Sequence, residues 1–170
     1  MNAGLFRSTL ETQVGTLQLA VDGEGILVAI LLPNRRPVTS SSQPTSSAAA
    51  QGMRAVVQQL NEYFLRKRRM FDLPLHAGGS PFEQHVWTKL LEVPYGVTTS
   101  YGAIALELGL ANGARAVGRA NGANPIPIVI PCHRVIGSDG DLIGYGGGLA
   151  LKRALLELEG AIRPLDPCLF

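Results

Sequence analysis

The sequence predicts an α/β N-terminal unit followed by a mainly helical C-terminal unit that contains a helix-turn-helix. Two observations predict the first unit. Residues 12–20 and 26–32 show strand patterns, and apolar residues recur at helical spacing from about residue 48 to 65. The second unit is predicted by a succession of helix-start and helix-stop signals after residue 80. The 170 residues suffice for two small domains, which we expect at residues 1–76 and 77–170.

The N-terminal half predicts a hairpin, a loop and an amphipathic helix in that order. Turn residues at 22–25 separate the two strands, and the Ser-, Thr-, Pro- and Ala-rich segment 37–50 predicts a flexible surface loop. The helix is predicted from its apolar positions, which are Met53, Val56, Val57, Leu60 and Phe64. Residues 73–75 then predict a short edge strand, and residues 77–79 a hinge.

The C-terminal half opens with a strong helix-start signal. Ser80 suits the N-cap, Pro81 suits the first helical position, and Glu83 stands where a capping box needs it. This helix should run to about Glu92, where residues 93–96 break it. The sequence therefore predicts that the first helix of the second unit begins directly after the hinge.

A short helix, a glycine-containing turn and a second helix follow, which is the helix-turn-helix pattern. Thr99 or Ser100 should cap the first helix, residues 109–112 make the turn, and residues 113–121 form the second helix. Small residues on that helix would let its backbone approach DNA closely, and Arg115 is the long side chain among them. The candidate exposed positions are Gly113, Ala114, Ala116, Val117 and Gly118. Ordinary helix packing is the alternative explanation of this pattern.

The candidate reactive group is Cys132, which stands between Pro131 and His133. We expect Pro131 to end a strand begun near Ile126, because proline gives a sheet no amide hydrogen, and so to leave Cys132 in pocket-lining backbone. The alternative is a small, buried and inert cysteine. The glycine-rich segment 144–148 lacks the lysine and spacing of a phosphate-binding loop, so we interpret it as a pocket wall.

The last helix is predicted over residues 149–160, with four leucines mainly inward: Leu151, Leu155, Leu156 and Leu158. Glu159 lies at its end. Because carboxylates are rarely buried without a partner, the residue pattern alone favours a solvent-exposed Glu159.

Composition and charge exclude several classes of protein. No apolar run is long enough to span a bilayer and no secretory signal is present, so we expect a cytoplasmic protein whose Cys132 and Cys168 stay reduced. The three histidines share no metal-ligand spacing, so we expect no metal. The net charge of +2 permits a nucleic-acid partner, and we interpret the basic run at residues 66–69 as a solvated face.

Taken together, these segments resemble the O6-alkylguanine-DNA alkyltransferases, also called methylated-DNA-protein-cysteine methyltransferases. The resemblance is firm from about residue 80 to 160 and rests further upstream only on the order of hairpin, loop and helix. The residues that carry it are Phe82 with Val86-Trp87, Pro94-Tyr95-Gly96 with Thr99-Ser100-Tyr101, Ala114-Arg115-Ala116-Val117-Gly118, Asn121-Gly122 with Asn124-Pro125, Ile130-Pro131-Cys132-His133-Arg134-Val135, Gly144-Tyr145 with Gly147-Gly148, and Leu155-Leu156 with Leu158-Glu159.

The resemblance implies a ribonuclease-H-like N-terminal domain and a winged-helix-like C-terminal domain. It implies that Cys132 accepts the alkyl group of O6-alkylguanine in a single in-line displacement, and that the thioether formed makes each molecule act once. The implied partner is double-stranded DNA that contains the lesion, met by a monomer in the cytoplasm at the nucleoid. No cofactor and no membrane are implied.

The resemblance also implies roles for individual residues. His133 and Glu159 match a relay that takes the thiol proton through a water. Such a relay lowers the thiol pKa from its usual value of about 8.5. Tyr101 matches the hydroxyl that protonates the departing guanine, and Arg115 matches the side chain that fills the space of the flipped nucleotide, beside Ala114, Ala116 and Gly118. Asn124 matches a hinge residue. The implied pocket is formed by backbone groups of Cys132, Val135 and Gly146 with Pro127 and Tyr145 as walls.

Two departures and three rival functions accompany this interpretation. The cysteines of an N-terminal zinc site found in several relatives are absent, and Gly146 stands where some relatives have a hydroxyl side chain. The rivals are a lesion-binding relative without transfer activity, a Cys-His hydrolase and a winged-helix regulator. Cys132 argues against the first, the second needs an oxyanion hole that the sequence does not reveal, and the third would leave Cys132, His133 and Glu159 without a use.

Overall fold

The computed structural model describes residues 4–35, 43–44 and 46–164, and its N-terminal part is a three-stranded antiparallel sheet. The strands are β1 (Phe6–Thr12), β2 (Gly15–Val21) and β3 (Leu27–Leu31), in the order β1-β2-β3. The prediction of one strand over residues 12–20 was wrong at its start, because Thr12 Oγ1 donates to the Gly15 carbonyl at 2.7 Å and closes a turn there. β1 was missed, since Leu10 is its one buried residue and its alternation is weak.

Helix α1 (Ser47–Phe64) packs on this sheet and is capped by Ser46, whose side chain accepts from the Ala49 amide at 2.9 Å. Its predicted apolar positions face the core, with Met53, Val56, Leu60 and Phe64 buried and Val57 partly so. Of the predicted loop 37–50, residues 37–42 and 45 lie outside the described residues, and residues 47–50 are helical instead. The predicted edge strand at 73–75 is a single bridge between Leu75 and Leu27.

The basic run after α1 is mainly exposed, as the sequence predicted. Arg68 is its exception, because its Nε pairs with Glu62 Oε2 at 2.7 Å. Arg69 lies over the Tyr95 ring at 5.6 Å from the centroid. Through the contact of Arg69 with Tyr95, this segment lies against the C-terminal domain.

The C-terminal part is helical, so the chain has an N-terminal sheet domain and a C-terminal helical domain. Helix α2 (Pro81–Leu91) begins at Ser80 with the predicted capping box, in which Ser80 and Glu83 satisfy each other's backbone amides. Helix α3 (Tyr101–Glu107) begins at the predicted N-cap Ser100, and α4 (Ala114–Gly122) packs against both α2 and α3. Val117 was predicted to be exposed on α4, but it is fully buried because it faces α2 and α3.

The segment before Cys132 is not the predicted strand. The Ile130 amide donates to the Ile126 carbonyl at 2.9 Å, and Ile128 takes a left-handed φ of 76°, so the chain turns tightly here. The apolar run reflects burial, which a short run shows for a strand and a core turn alike. Cys132–Arg134 is a single turn of 3-10 helix.

Two short elements complete the fold around that turn. Strand β4 (Thr99–Ser100) pairs in parallel with β5 (Val135–Ile136), which ties the start of α3 to the segment after Cys132. Helix α5 (Leu149–Glu159) ends at Gly160, whose left-handed φ of 74° suits glycine. Its inward residues are Leu155, Leu156 and Leu158, with Leu151 partly buried. None of the described helices combines the length and the apolar character that crossing a membrane requires.

Candidate active site

A cavity of about 960 Å³ lies between the N-terminal sheet and the C-terminal helices, a volume typical of ligand pockets. Strand β3 and the residues after it supply one wall, and α4 supplies the opposite one. Cys132 and the segment 143–146 complete it. The residues that line the cavity include Arg35, Tyr101, Ala114, Arg115, Gly118, Arg119, Asn121, Asn124, Pro127, Cys132, Tyr145 and Gly146.

Cys132 is buried, with 4% of its surface exposed, and is a free thiol. The side chain of Asn124 holds the backbone before it, donating to the Ile130 carbonyl at 2.8 Å and accepting from the Ile126 amide at 2.9 Å. Asn121, on α4, donates to the Cys132 carbonyl at 3.3 Å. Two amides therefore connect α4 and its following turn to the reactive residue.

Burial raises the pKa of the Cys132 thiol from 9.0 to about 11. The Asn124 side chain, the Lys152 charge and the backbone amides of Cys132 and His133 oppose this rise but do not overcome it. The sequence-based expectation of a lowered resting pKa was wrong, because burial outweighs the groups that lower it; the relay itself stays a prediction. The thiol is therefore protonated at neutral pH.

His133, the residue after Cys132, forms a buried pair with Glu159. His133 Nε2 lies 2.8 Å from Glu159 Oε1, and both side chains are shielded from solvent. Arg134 contacts the same carboxylate through Nε and Nη2, each at 2.9 Å, and the Gly96 amide donates to Oε2 at 3.2 Å. The expectation of an exposed Glu159 was wrong, because these donors satisfy it in the core.

The pKa of Glu159 moves against the effect of burial, whereas the pKa of His133 moves with it. Burial would raise the pKa of Glu159, but hydrogen bonds from His133 and Arg134 lower it from 4.5 to about 2. Burial lowers the pKa of His133 below 6.5, against the effect of Glu159. An ionised carboxylate only accepts, so His133 Nε2 carries the hydrogen and a neutral ring keeps a lone pair on Nδ1. Among the described residues, no group bonds to that buried Nδ1.

Two tyrosines lie at the cavity. Tyr101 is half-buried, and its hydroxyl donates to the carbonyls of Ile143 at 3.2 Å and Gly144 at 3.3 Å. Burial raises its pKa, and the charge of an ionised Cys132 adds to the rise. Burial likewise raises the pKa of Tyr145 well above 10.0, with Cys132 as the second cause. Both hydroxyls therefore keep their protons and can donate them.

The remaining predicted pocket residues divide into two groups. Pro127 and Gly146 line the cavity, and the Gly146 carbonyl accepts from Asn34 Nδ2 at 2.9 Å, which fastens the segment 143–146 to the N-terminal domain. Val135 lies outside the cavity wall, fully buried in β5. Its carbonyl accepts a hydrogen bond from Lys152 Nζ at 2.5 Å.

The predicted DNA-facing residues lie along α4. Ala114, Arg115 and Gly118 line the cavity, whereas Ala116 is partly buried outside its lining. A Cβ added to Gly118 would meet the Tyr101 ring at 3.8 Å, an ordinary contact. The protein itself thus leaves room at Gly118, so any need for glycine there comes from what approaches α4 from outside. No cluster of potential ligands for a metal ion occurs in the described ranges.

Comparison with known proteins agrees with this arrangement. The model of the 6-O-methylguanine DNA methyltransferase ribonuclease-like domain matches residues 5–77, and the model of the DNA binding domain of the same methyltransferase matches residues 81–161. The chain belongs to the 6-O-methylguanine DNA methyltransferase family. The resemblance inferred from the motifs is thereby confirmed.

Relatives of this methyltransferase family are similar over nearly their whole length. The chain is 46% identical over 165 residues to the methylated-DNA–protein-cysteine methyltransferase of Mycobacterium tuberculosis strain H37Rv, covering 95% of this chain and 96% of that protein. It is 39% identical over 157 residues to the constitutive enzyme of Bacillus subtilis strain 168, covering 91% and 94%. The crystal structure of Mycobacterium tuberculosis OGT in complex with DNA superposes with a TM-score of 0.80 at 45% identity, covering 90% of this chain and 91% of that one.

Sequence reasoning missed one buried cation in this methyltransferase site. Lys152 is fully buried on α5, and its Nζ donates to the carbonyls of Val135 and of Ile143, the latter at 2.7 Å. It lies 5.8 Å from the Tyr101 ring centroid. Burial lowers its pKa from 10.5 to about 8, and the charge of an ionised Cys132 opposes that fall. The signal was present, because Lys152 and Glu159 stand in the same helical stripe as Leu155 and Leu156.

Proposed function

We propose that this protein repairs O6-alkylguanine in duplex DNA by moving the alkyl group onto the sulfur of Cys132, once per molecule. The observation that carries the proposal is the position of Cys132. Its thiol lies on the wall of a cavity that α4 also lines, and the next residue, His133, forms a buried pair with Glu159. A base extruded from DNA on the α4 side would enter that cavity with its alkyl carbon toward the sulfur.

The resting thiol is neutral, so its proton leaves as the alkyl group is transferred. His133 Nδ1 accepts this proton through a bridging water, and the Glu159 carboxylate stabilises the imidazolium that forms. The sulfur forms a bond to the alkyl carbon while the bond from that carbon to O6 breaks, and the electron pair passes into the guanine. The Tyr101 hydroxyl gives the guanine its proton, and solvent exchange then returns a proton from His133 to Tyr101.

The product is a thioether and an unmodified guanine. A thioether has no easy route back to a thiol, unlike a thioester or a disulfide. No cofactor takes part, since the alkyl carbon is itself the electrophile and the alkyl group is the group transferred. Each molecule is therefore consumed by one repair event.

On the DNA side, we assign α3 and α4 to a helix-turn-helix whose second helix faces the duplex. Arg115 is exposed at the cavity mouth, where it would occupy the space that the extruded nucleotide leaves in the stack. Ala114, Ala116 and Gly118 let the backbone of α4 come close. Asn124 serves as the hinge, because its two hydrogen bonds connect the end of α4 to the segment before Cys132.

The proposal extends to the two domains of the chain. It includes a ribonuclease-H-like N-terminal domain at residues 1–76 and a winged-helix-like C-terminal domain at residues 77–170. The model of a ribonuclease-like domain matches residues 5–77 and the model of a DNA binding domain matches residues 81–161, which supports a boundary near residues 78–80. The Gly78-Gly79 pair suits a hinge at that point. A protein that acts on duplex DNA in this way would be found with the nucleoid.

Incubation with free O6-benzylguanine followed by intact-mass measurement tests the proposal. We expect one benzyl adduct per molecule, located on Cys132 by peptide mapping. Cys132→Ala should abolish the adduct and keep DNA binding, whereas Cys168→Ala should change neither. A benzyl group mapped to Cys168 would overturn the assignment.

The same mass measurement, together with duplex-binding measurements, separates the rival functions. Repeated release of product without a gain in protein mass would identify a Cys-His hydrolase. Lesion binding with no adduct would identify a recognition protein, and sequence-specific duplex binding with no preference for the lesion would identify a winged-helix regulator.

A further inference from the structure

One donor to the Glu159 carboxylate comes from the other domain. Tyr63 lies near the end of α1, the helix that packs on the N-terminal sheet. Its hydroxyl donates to Glu159 Oε1 at 2.8 Å, although the two residues are 96 positions apart in the chain. The Tyr63 side chain is fully buried. The same oxygen accepts His133 Nε2, also at 2.8 Å, and Arg134 Nη2 at 2.9 Å.

We infer that Tyr63 is a positioning residue for alkyl transfer, and that through it the N-terminal domain holds Glu159 and His133 in the geometry that the transfer needs. The inference rests on the proposed function. It assigns to the N-terminal domain a part in the chemistry, beyond its share of the cavity wall.

The hydroxyl of Tyr63 is a fixed donor. Burial raises its pKa well above 10.0, and the charge of Glu159 raises it further, so the proton stays on the oxygen. Three rings hold the side chain in place, with centroid distances of 5.2 Å to Phe64, 5.5 Å to Phe71 and 6.1 Å to Tyr95. Because the ring cannot move freely, the hydroxyl meets Oε1 at little entropic cost.

This donor acts on the proton between His133 and Glu159. Arg134 supplies charge to both carboxylate oxygens, and Tyr63 adds a neutral donor to the oxygen that faces His133. A carboxylate that accepts more hydrogen bonds is less basic, so the proton stays on His133 Nε2 and Nδ1 remains the acceptor. Within the described ranges of the N-terminal domain, Tyr63 alone bonds to Glu159.

The charged and titratable groups around this cluster define what a pH profile would report. Arg134 and His133 face Glu159 directly from the 3-10 turn, and Lys152 acts on His133 from α5. Tyr95 packs beside Tyr63, with Arg66 and Arg69 acting on it from the segment after α1. The pKa values of Tyr63 and Tyr95 are raised, so His133 dominates the acid limb of the transfer rate.

The test is Tyr63→Phe in the full-length chain, with single-turnover rates measured between pH 5 and 9 on duplex DNA containing O6-methylguanine. Losing the donor makes the pair more basic, so the acid inflection should move to higher pH. At neutral pH the rate should fall roughly ten-fold or more, the usual worth of a hydrogen bond to a charged group, with DNA affinity unchanged. Nitrogen chemical shifts of His133 in the apo protein, followed against pH, should show the same displacement of its pKa to higher pH.

Tyr95→Phe is the matched control, because its hydroxyl donates to the Leu158 carbonyl at 3.3 Å while its ring packs against Tyr63. It should leave the acid inflection where the unaltered protein has it. Adding Tyr63→Phe to a Glu159→Gln background should cause no further loss, since the carboxylate on which Tyr63 acts is already gone.

Equal effects of Tyr63→Phe and Tyr95→Phe, with no shift of the inflection and unchanged His133 nitrogen shifts, would reduce Tyr63 to a packing residue and overturn the inference. Failure of the unaltered protein to form any adduct would instead overturn the proposed function. In that case the His133 nitrogen shifts would still decide whether Tyr63 controls the protonation of His133.

Discussion

Replacing Glu159 by glutamine removes the charge that stabilises a protonated His133 while changing only one atom. The fall in the pKa of Glu159 from 4.5 to about 2 corresponds to roughly 3 kcal/mol in favour of the carboxylate. If a comparable part of that energy stabilises the imidazolium during transfer, its loss slows the reaction about 10²-fold, at the lower end of the usual contribution of a general base. DNA affinity should change little, because Glu159 lies behind the cavity wall.

Rapid-quench measurement of a single turnover, with protein in excess over duplex DNA, gives the rate directly. Glu157→Gln is the matched control, since it changes the same side chain on the same helix where Glu157 is partly exposed and pairs with Arg153 at 3.6 Å. It should keep the original rate. A Glu159→Gln rate equal to that of the control would remove Glu159 from the mechanism.

The same substitution has a predictable effect on stability. Arg134, nearly buried, would lose its charged partner, which costs about 3–5 kcal/mol. The carboxylate ionises more easily in the folded protein than in the unfolded chain, so its contribution is present above pH 4.5 and disappears as the pH falls toward 2. Chemical denaturation across that window should show this loss in the unaltered protein and not in Glu159→Gln. Rates should be compared at a temperature where circular dichroism shows both variants folded.

Three further predictions test other parts of the site. Arg115→Ala should slow repair in duplex DNA while leaving reaction with free O6-benzylguanine nearly unchanged. Arg119→Ala should instead weaken binding to all duplexes and lower the salt dependence of the binding constant by about one unit of slope. Equal slowing of Arg115→Ala on free base and duplex would end the assignment of Arg115 to the base stack. Because the thiol pKa is raised to about 11, a mechanism without the relay would quicken about ten-fold per pH unit up to that value, whereas the relay predicts a plateau above the pKa of His133. Asn124→Ala should slow transfer to free base and duplex alike, since it frees the Ile126 amide and the Ile130 carbonyl beside Cys132, and an unaltered rate on both substrates would show that the segment needs no hinge.

Local signals account for what the sequence predicted correctly. The capping box at Ser80 and the N-cap at Ser100 involve groups within three residues of each other, so their patterns are legible in the chain. The strand predicted near Ile126 failed because burial, not extension, makes that run apolar. The contact between Tyr63 and Glu159 left no local trace, since each partner is an ordinary member of its own helix.

Glu159 and Lys152 form an intermediate case. Their positions seven apart, with Leu155 and Leu156 between them, put both on the inward stripe of α5, which conflicts with the rule that charged residues are exposed. Such conflicts between pattern and residue type are expected at functional sites. The motif around Cys132 identified the reaction, but only the stripe could have indicated that a buried cation accompanies it.

The raised pKa of Cys132 is consistent with a protein that acts once. A thiolate exposed to solvent reacts with oxidants and stray electrophiles, and here each such event would consume a whole molecule. Burial raises the pKa of the thiol to about 11 and so keeps it protonated at neutral pH. This protects the thiol until a lesion fills the cavity. The same burial creates the need for His133, because a neutral thiol is a poor nucleophile and its proton must be removed during the transfer itself. Protection and activation therefore depend on one feature, and a variant that exposed Cys132 would gain intrinsic reactivity while losing its useful lifetime.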